Sequence, residues 1–116
     1  MEIIKMKVSV PDPIRISLTE AGEEMARASV YFLKNELHVG EHAGIVAYLE
    51  DVFVNDQYRS RGLGRKIVEQ AIREARSAGA YKLIANSRAD RVGVHEFYRK
   101  LGFDEHGKEF RVDLID

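Results

Sequence analysis

Residues 50–79 read EDVFVNDQYRSRGLGRKIVEQAIREARSAG. Val52, Phe53 and Val54 are β-branched or aromatic, the composition of a strand, and Asn55-Asp56 stop it. Arg59-Ser60-Arg61-Gly62-Leu63-Gly64 then turns tightly. Beyond the turn, Leu63, Ile67, Val68, Ala71, Ile72 and Ala75 recur at intervals of three and four, the buried face of a helix. Lys66, Glu69, Gln70, Arg73, Glu74 and Arg76 fill the other face, and Gly79 is the expected stop. The stretch is strand, glycine loop, helix.

Such a loop suits an anion. The first-turn N–H groups of a helix have no partners within it and lie at the positive end of its dipole. Gly62 and Gly64 leave room for a phosphate, and Arg59, Arg61 and Arg65 add charge. A pyrophosphate is the expected guest. The Walker pattern is missing, and the third glycine of the dinucleotide fingerprint is replaced by Ile67. What remains is Arg-x-x-Gly-x-Gly at Arg59, Gly62 and Gly64, a pattern that an ordinary strand–helix turn also produces.

The 116 residues imply one domain, 1–116, large enough for a real core. Apolar residues at 45% and charged residues at 32% suit a folded, soluble chain. A net charge of −1 argues against nucleic acid or a membrane as the main partner. The absence of cysteine excludes disulfides, thiolate nucleophiles and cysteine metal sites. No apolar run approaches a membrane span, and the start, MEIIKMKVSV, does not read as a signal peptide, so a cytoplasmic protein is expected.

Outward from the central stretch, residues 45–54 form the strand feeding the loop. Before it, residues 3–10 read as a strand broken by Pro11-Asp12-Pro13. Ile14, Ile16 and Leu18 alternate as a second strand, Ala21-Gly22-Glu23-Glu24 turns, and residues 25–34 return as a hairpin. Residues 35–44 read as a polar loop. After the helix, YKLIAN at 81–86 is a short strand, Asp90 is a potential cap, and Val94, Phe97, Tyr98 and Leu101 line a second helix ended by Gly102. Residues 103–105 and 109–114 read as two closing strands around Gly107. A strand–helix–strand crossover makes its two strands parallel, so the fold expected is α/β, a mixed antiparallel and parallel sheet with helices on its faces.

Phe97-Tyr98-Arg99-Lys100-Leu101-Gly102-Phe103 resembles the Phe-Tyr-x-Lys-x-Gly-Phe segment of the GNAT superfamily of N-acetyltransferases, and Arg59-x-x-Gly62-x-Gly64 resembles its coenzyme A pyrophosphate loop. Glu50-Asp51-Val52-Phe53-Val54 and Tyr81-Lys82-Leu83 look like the glucosamine-phosphate acetyltransferase branch. The four segments fall in family order over residues 45–103. Two departures stand out: Arg91 replaces an asparagine common in the family, and only Pro11-Asp12-Pro13 stands where the family usually has two helices between its first strands. The acceptor side is therefore expected to be open, or completed by a second subunit.

The resemblance implies acetyl transfer from acetyl-CoA to an amine by direct attack. An alkylamine has a pKa of about 10.4 and needs a base or desolvation. The developing oxyanion needs a fixed donor, and the leaving thiolate needs an acid. The resemblance makes Tyr98 that acid. Glu50 is the candidate base, directly or through water. Strand alternation sends Asp51 to the opposite face unless a bulge intervenes. His38, His42 and His95 are rival bases that more commonly prove structural.

The resemblance also sets the backbone of Val52, Phe53 and Val54 against the pantetheine arm, with a Val54 or Phe53 N–H for the thioester carbonyl. It sets Arg59, Arg61, Gly62, Leu63, Gly64 and Arg65 around the pyrophosphate, with Asn86 and Arg91 as further contacts. No metal is expected, because the histidines lack ligand spacing. A non-catalytic acyl-CoA-binding module is the competing class. Nucleic-acid binding is disfavoured because Glu69 and Glu74 interrupt the basic residues. Many strand edges make a homodimer the expected assembly.

Overall fold

The computed structural model describes residues 2–3, 5, 9–34 and 44–115. They form two compact units, Met1–Ala85 and Asn86–Asp116.

In the first unit, strand β1 (Ile14–Glu20) and strand β2 (Glu23–Lys34) pair antiparallel through a two-residue turn at Ala21 and Gly22. Both turn residues have positive φ, 50° and 80°, the hand that matches the twist of the flanking strands. Strand β3 (Ile45–Val54) pairs antiparallel with β2, and strand β4 (Ala80–Ala85) pairs parallel with β3. The sheet order is β1-β2-β3-β4, the mixed sheet expected.

Helix α1 (Leu63–Ser77) joins β3 to β4. Its buried residues are Leu63, Ile67, Val68, Ala71 and Ala75. Ala26, Ala28, Val30 and Phe32 alternate along β2 into the same core, with Val46, Ala47 and Leu49 from β3. Alanines at 26, 28 and 47 on the strands and at 71 on the helix bring the two backbones close, so small volume changes there are felt. Gly79, at φ 84°, ends α1 by donating to the Arg76 carbonyl at 3.0 Å.

The second unit is built on helix α2 (Val92–Lys100). Gly102, at φ 94°, closes it with a double cap: the Gly102 N–H donates to Arg99 O at 3.0 Å and the Phe103 N–H to Tyr98 O at 3.0 Å. The Tyr98 and Phe103 rings also pack together, tilted, with centroids 5.2 Å apart. This is the hydrogen-bond and hydrophobic pairing of a Schellman motif, and it gives Leu-Gly-Phe at 101–103 a physical role in fixing Tyr98.

Three expectations are corrected. No strand forms at 103–105 or 109–114: both segments are irregular, and Phe110, Val112 and Leu114 are 79–90% exposed. Alternation alone does not make a strand, which also needs an edge to pair with. Asp90 does not cap α2. Arg91 holds that position without a side-chain hydrogen bond, while Asp90 sits in a turn closed by Arg91 N–H to Arg88 O. Half of the strand expected over 3–10 lies outside the described residues, and the described half, Ile3, Lys5, Ser9 and Val10, is not in a strand. The loop expected over 35–44, with His38 and His42, lies outside them except for Gly44.

Candidate functional site

Two features of the first unit converge on the stretch from β3 to α1. The first is the start of α1. Gly62 occupies the N-cap at φ 73° with no side-chain cap, and no acidic residue lies in the first turn. The first bond into the helix is Lys66 N–H to Gly62 O at 3.1 Å, so the amides of Leu63, Gly64 and Arg65 precede it. Three donors without a hydrogen-bond partner among the described residues, at the positive end of a 15-residue helix, are an arrangement suited to an anion. A Cβ at Gly62 meets nothing within 4 Å, so glycine serves backbone conformation there, not space.

The second is the edge of β3. Pairing with β4 ends at Leu49↔Ala85, leaving residues 50–54 without that neighbour. The Asn55 N–H donates to Met25 O on the β2 side at 2.8 Å. Strand alternation then turns Val54 N–H away from β2, while Phe53, paired across to Arg27, points its own N–H toward β2. Of the two expected oxyanion donors, Val54 is the one with an outward amide.

Between these features, Asn55 Oδ1 accepts from Gln57 N–H at 3.2 Å and opens a short 3-10 turn, Asp56–Tyr58. The Tyr58 hydroxyl donates to Glu23 Oε2 at 2.8 Å, tying the loop to the start of β2 and holding the phenol's pKa above its ordinary value. Ser60, at φ 66°, is a second left-handed residue in the loop. The three arginines are mostly exposed and already near carboxylates: Arg59 to Asp56 at 2.8 Å, Arg61 to Glu20 at 3.9 Å, and Arg65 to Glu69 at 2.6 Å. Exposed pairs of this kind are weak, so an incoming phosphate competes for these side chains at little cost.

A bulge does intervene at Asp51. Phe53 pairs with Arg27 and Glu50 with Ser29, so Asp51 and Val52 together face Ala28 alone. Arg27 Nε donates to Asp51 Oδ2 at 2.8 Å, and that bond chiefly lowers the Asp51 pKa and raises that of Arg27. Asp51 is thereby committed to a partner. Glu50 is exposed, and no ion pair or side-chain hydrogen bond joins it to another described residue. Sequence reasoning missed Arg27 because its role depends on a residue 24 positions away.

In the second unit, Asn86 leads out of β4 and Arg91 sits at the N-cap of α2. The Tyr98 ring packs edge-on against Phe97 at 5.4 Å and tilted against Phe103 at 5.2 Å. His95 Nε2 donates to the Arg88 carbonyl at 2.8 Å, which gives this histidine a structural task. Arg99 bridges Glu96 and Glu105 at 2.8 and 2.7 Å. Among the described residues no group of three or more potential metal ligands clusters, and no helix is long and apolar enough to cross a membrane.

Residues 10–103 match the family model described as acetyltransferase (GNAT) family. A glucosamine 6-phosphate N-acetyltransferase from Trypanosoma brucei brucei is 39% identical over 69 residues, 60% of this chain and 45% of that protein. An aminoglycoside N(6')-acetyltransferase type 1 from Stenotrophomonas maltophilia is 31% identical over 84 residues, 72% of this chain and 54% of that one. The chain thus spans about half the length of these curated relatives. The crystal structure of glucosamine-6-phosphate N-acetyltransferase from Arabidopsis thaliana superposes with a TM-score of 0.76 at 26% identity, over 90% of this chain and 68% of that one.

Proposed function

The chain belongs to the acetyltransferase (GNAT) family, and from that premise we propose that it transfers the acetyl group of acetyl-CoA to a primary amine of a small molecule or protein. The observation that carries this reading is the pairing of an uncapped α1 N-terminus with an open β3 edge, separated by one short loop. The first suits a pyrophosphate and the second suits an extended arm with amide groups, which adds to a sheet edge as a strand does. The family match runs through both units, which supports reading 1–116 as one domain.

On this reading the amides of Leu63, Gly64 and Arg65 bind the pyrophosphate, with Gly62 setting the turn and Arg59, Arg61 and Arg65 adding charge. Val52, Phe53 and Val54 carry the pantetheine arm, and Asn86 and Arg91 give further contacts. Acetyl-CoA would supply a thioester whose carbonyl carbon first bonds to the amine nitrogen, giving a tetrahedral intermediate, and then loses its bond to sulfur. Val54 N–H holds the carbonyl oxygen as it gains negative charge. Glu50, directly or through water, takes the amine proton, and the Tyr98 phenol gives one to the departing sulfur. No metal enters these steps.

By name, the two curated relatives described above act on glucosamine 6-phosphate and on an aminoglycoside, which makes these the first acceptors to try. The exposed alternation of Phe110, Val112 and Leu114 supports a homodimer, and a cytoplasmic setting completes the reading. The test is thiol release from acetyl-CoA with glucosamine 6-phosphate, an aminoglycoside, simple amines and lysine peptides. Turnover on at least one supports the proposal. Coenzyme binding without turnover on any acceptor points instead to an acyl-CoA-binding module.

A further inference from the structure

Asp51 sits at the bulge in an uncommon backbone conformation. It is not glycine, yet its φ is 52°, in the left-handed region that aspartate enters more readily than most L residues but at a cost glycine does not bear. Such a conformation is held by its surroundings, and among the described residues the Asp51 side chain bonds to Arg27. Arg27 Nε and Nη2 grip the two Asp51 carboxylate oxygens at 2.8 and 3.4 Å. The same guanidinium lies over the Phe53 ring, 4.5 Å from its centroid. Arg27 therefore touches the residues on both sides of Val52. It is itself steadied by Glu24 at 3.6 Å, and Glu24 by Arg15 at 3.1 Å and Ser17 at 2.7 Å.

The bulge matters because of parity. With Ser29↔Glu50 as the fixed pair, a regular ladder sets Ala28 against Asp51, Arg27 against Val52 and Met25 against Val54. The observed ladder sets Arg27 against Phe53 and Ala26 against Val54. One extra residue reverses which amides face β2. In the bulged register Val54 N–H faces the open edge; in the regular one it enters the β2 ladder and Phe53 N–H faces outward.

We propose that Arg27 is a positioning residue: by clamping Asp51 and Phe53 it holds the bulge that turns Val54 N–H to the open β3 edge. Its link to turnover rests on the acetyltransferase reading above; its effect on the amide does not. Glycine adopts positive φ without a clamp, so Asp51→Gly makes Arg27 dispensable.

The test compares wild type, Arg27→Met, Asp51→Ala, Asp51→Gly and the double variant Arg27→Met/Asp51→Gly, with folding checked by circular dichroism. Amide hydrogen exchange by NMR reads Val54 directly. Val54 exchanges fast in wild type and Asp51→Gly, and at least about tenfold more slowly in Arg27→Met and Asp51→Ala. Turnover with an accepted amine gives the second readout. The kcat falls at least about tenfold in Arg27→Met and Asp51→Ala, with KM for acetyl-CoA within about threefold, and returns to within about threefold of wild type in the double variant.

A protected Val54 amide in wild type, or equal behaviour of Asp51→Ala and Asp51→Gly, overturns the proposal. If Arg27→Met does not fold, the two Asp51 variants decide, since both lose the ion pair and only glycine keeps the conformation. If wild type turns over no amine, the function reading fails while the exchange result still decides this one.

Discussion

Replacing Gly62 by alanine tests whether the anion cradle is a property of the backbone. A Cβ at Gly62 meets nothing within 4 Å, so the substitution has no steric cost. Its cost is conformational: an L residue in the left-handed region loses about 1–2 kcal/mol. The unfolded chain, less free with alanine, returns roughly 0.4–1 kcal/mol. The net loss expected is about 1 kcal/mol, provided that the loop keeps its shape. It does so because the alternative is worse. Leu63 is 8% exposed and Ile67 and Val68 are 0% exposed, and unseating even one such side chain costs roughly 1.5–3 kcal/mol. The strain is therefore absorbed as lost stability, and the amides of Leu63, Gly64 and Arg65 stay aimed. Urea unfolding followed by circular dichroism should show the loss of about 1 kcal/mol, while coenzyme A affinity stays within about tenfold. Gly62→Asn should lose less, since asparagine tolerates this region. Unchanged stability in Gly62→Ala, or loss of binding at full stability, refutes the reasoning.

Tyr98→Phe should lower kcat by about 10²-fold or more while leaving coenzyme A affinity unchanged, checked by thiol release beside calorimetry. Ile67→Ala, in the face of α1 that is fully buried, should lose about 2–5 kcal/mol of stability in urea unfolding. The pH profile follows from two carboxylates with lowered pKa, Asp51 through its bond to Arg27 and Glu24 through its bond to Ser17. Their contribution is complete above the ordinary carboxylate range and is lost as pH falls through the lower folded values, so stability should decline below about pH 4. Unfolding midpoints between pH 6 and 2 check this, and Asp51→Asn should flatten the decline.

The parts legible in sequence are those set by neighbours in the chain. The face of α1 follows from Leu63, Ile67, Val68, Ala71 and Ala75, and the β1–β2 turn from Ala21-Gly22. The glycine loop is likewise local, because Gly62 needs only its own freedom to reach φ 73°. The bulge is not local: the φ of Asp51 is held by a guanidinium on another strand. The sequence raises a bulge only as a condition for Glu50 and Asp51 to share a face, and names nothing to hold it. The two terminal strands fail for a related reason. Phe110, Val112 and Leu114 have the right alternation, but pairing depends on an edge that their own sequence does not specify. Asp90 carries cap chemistry one residue too early, since the turn from Arg88 to Arg91 hands the N-cap to Arg91.

The central claim is that the amides opening α1 and the outward edge of β3 hold one acyl carrier. Titrating coenzyme A into ¹⁵N-labelled protein reads those amides one by one. The account predicts saturable shifts that are largest at Leu63, Gly64, Arg65 and Val54. Saturable binding that leaves these four signals in place contradicts it.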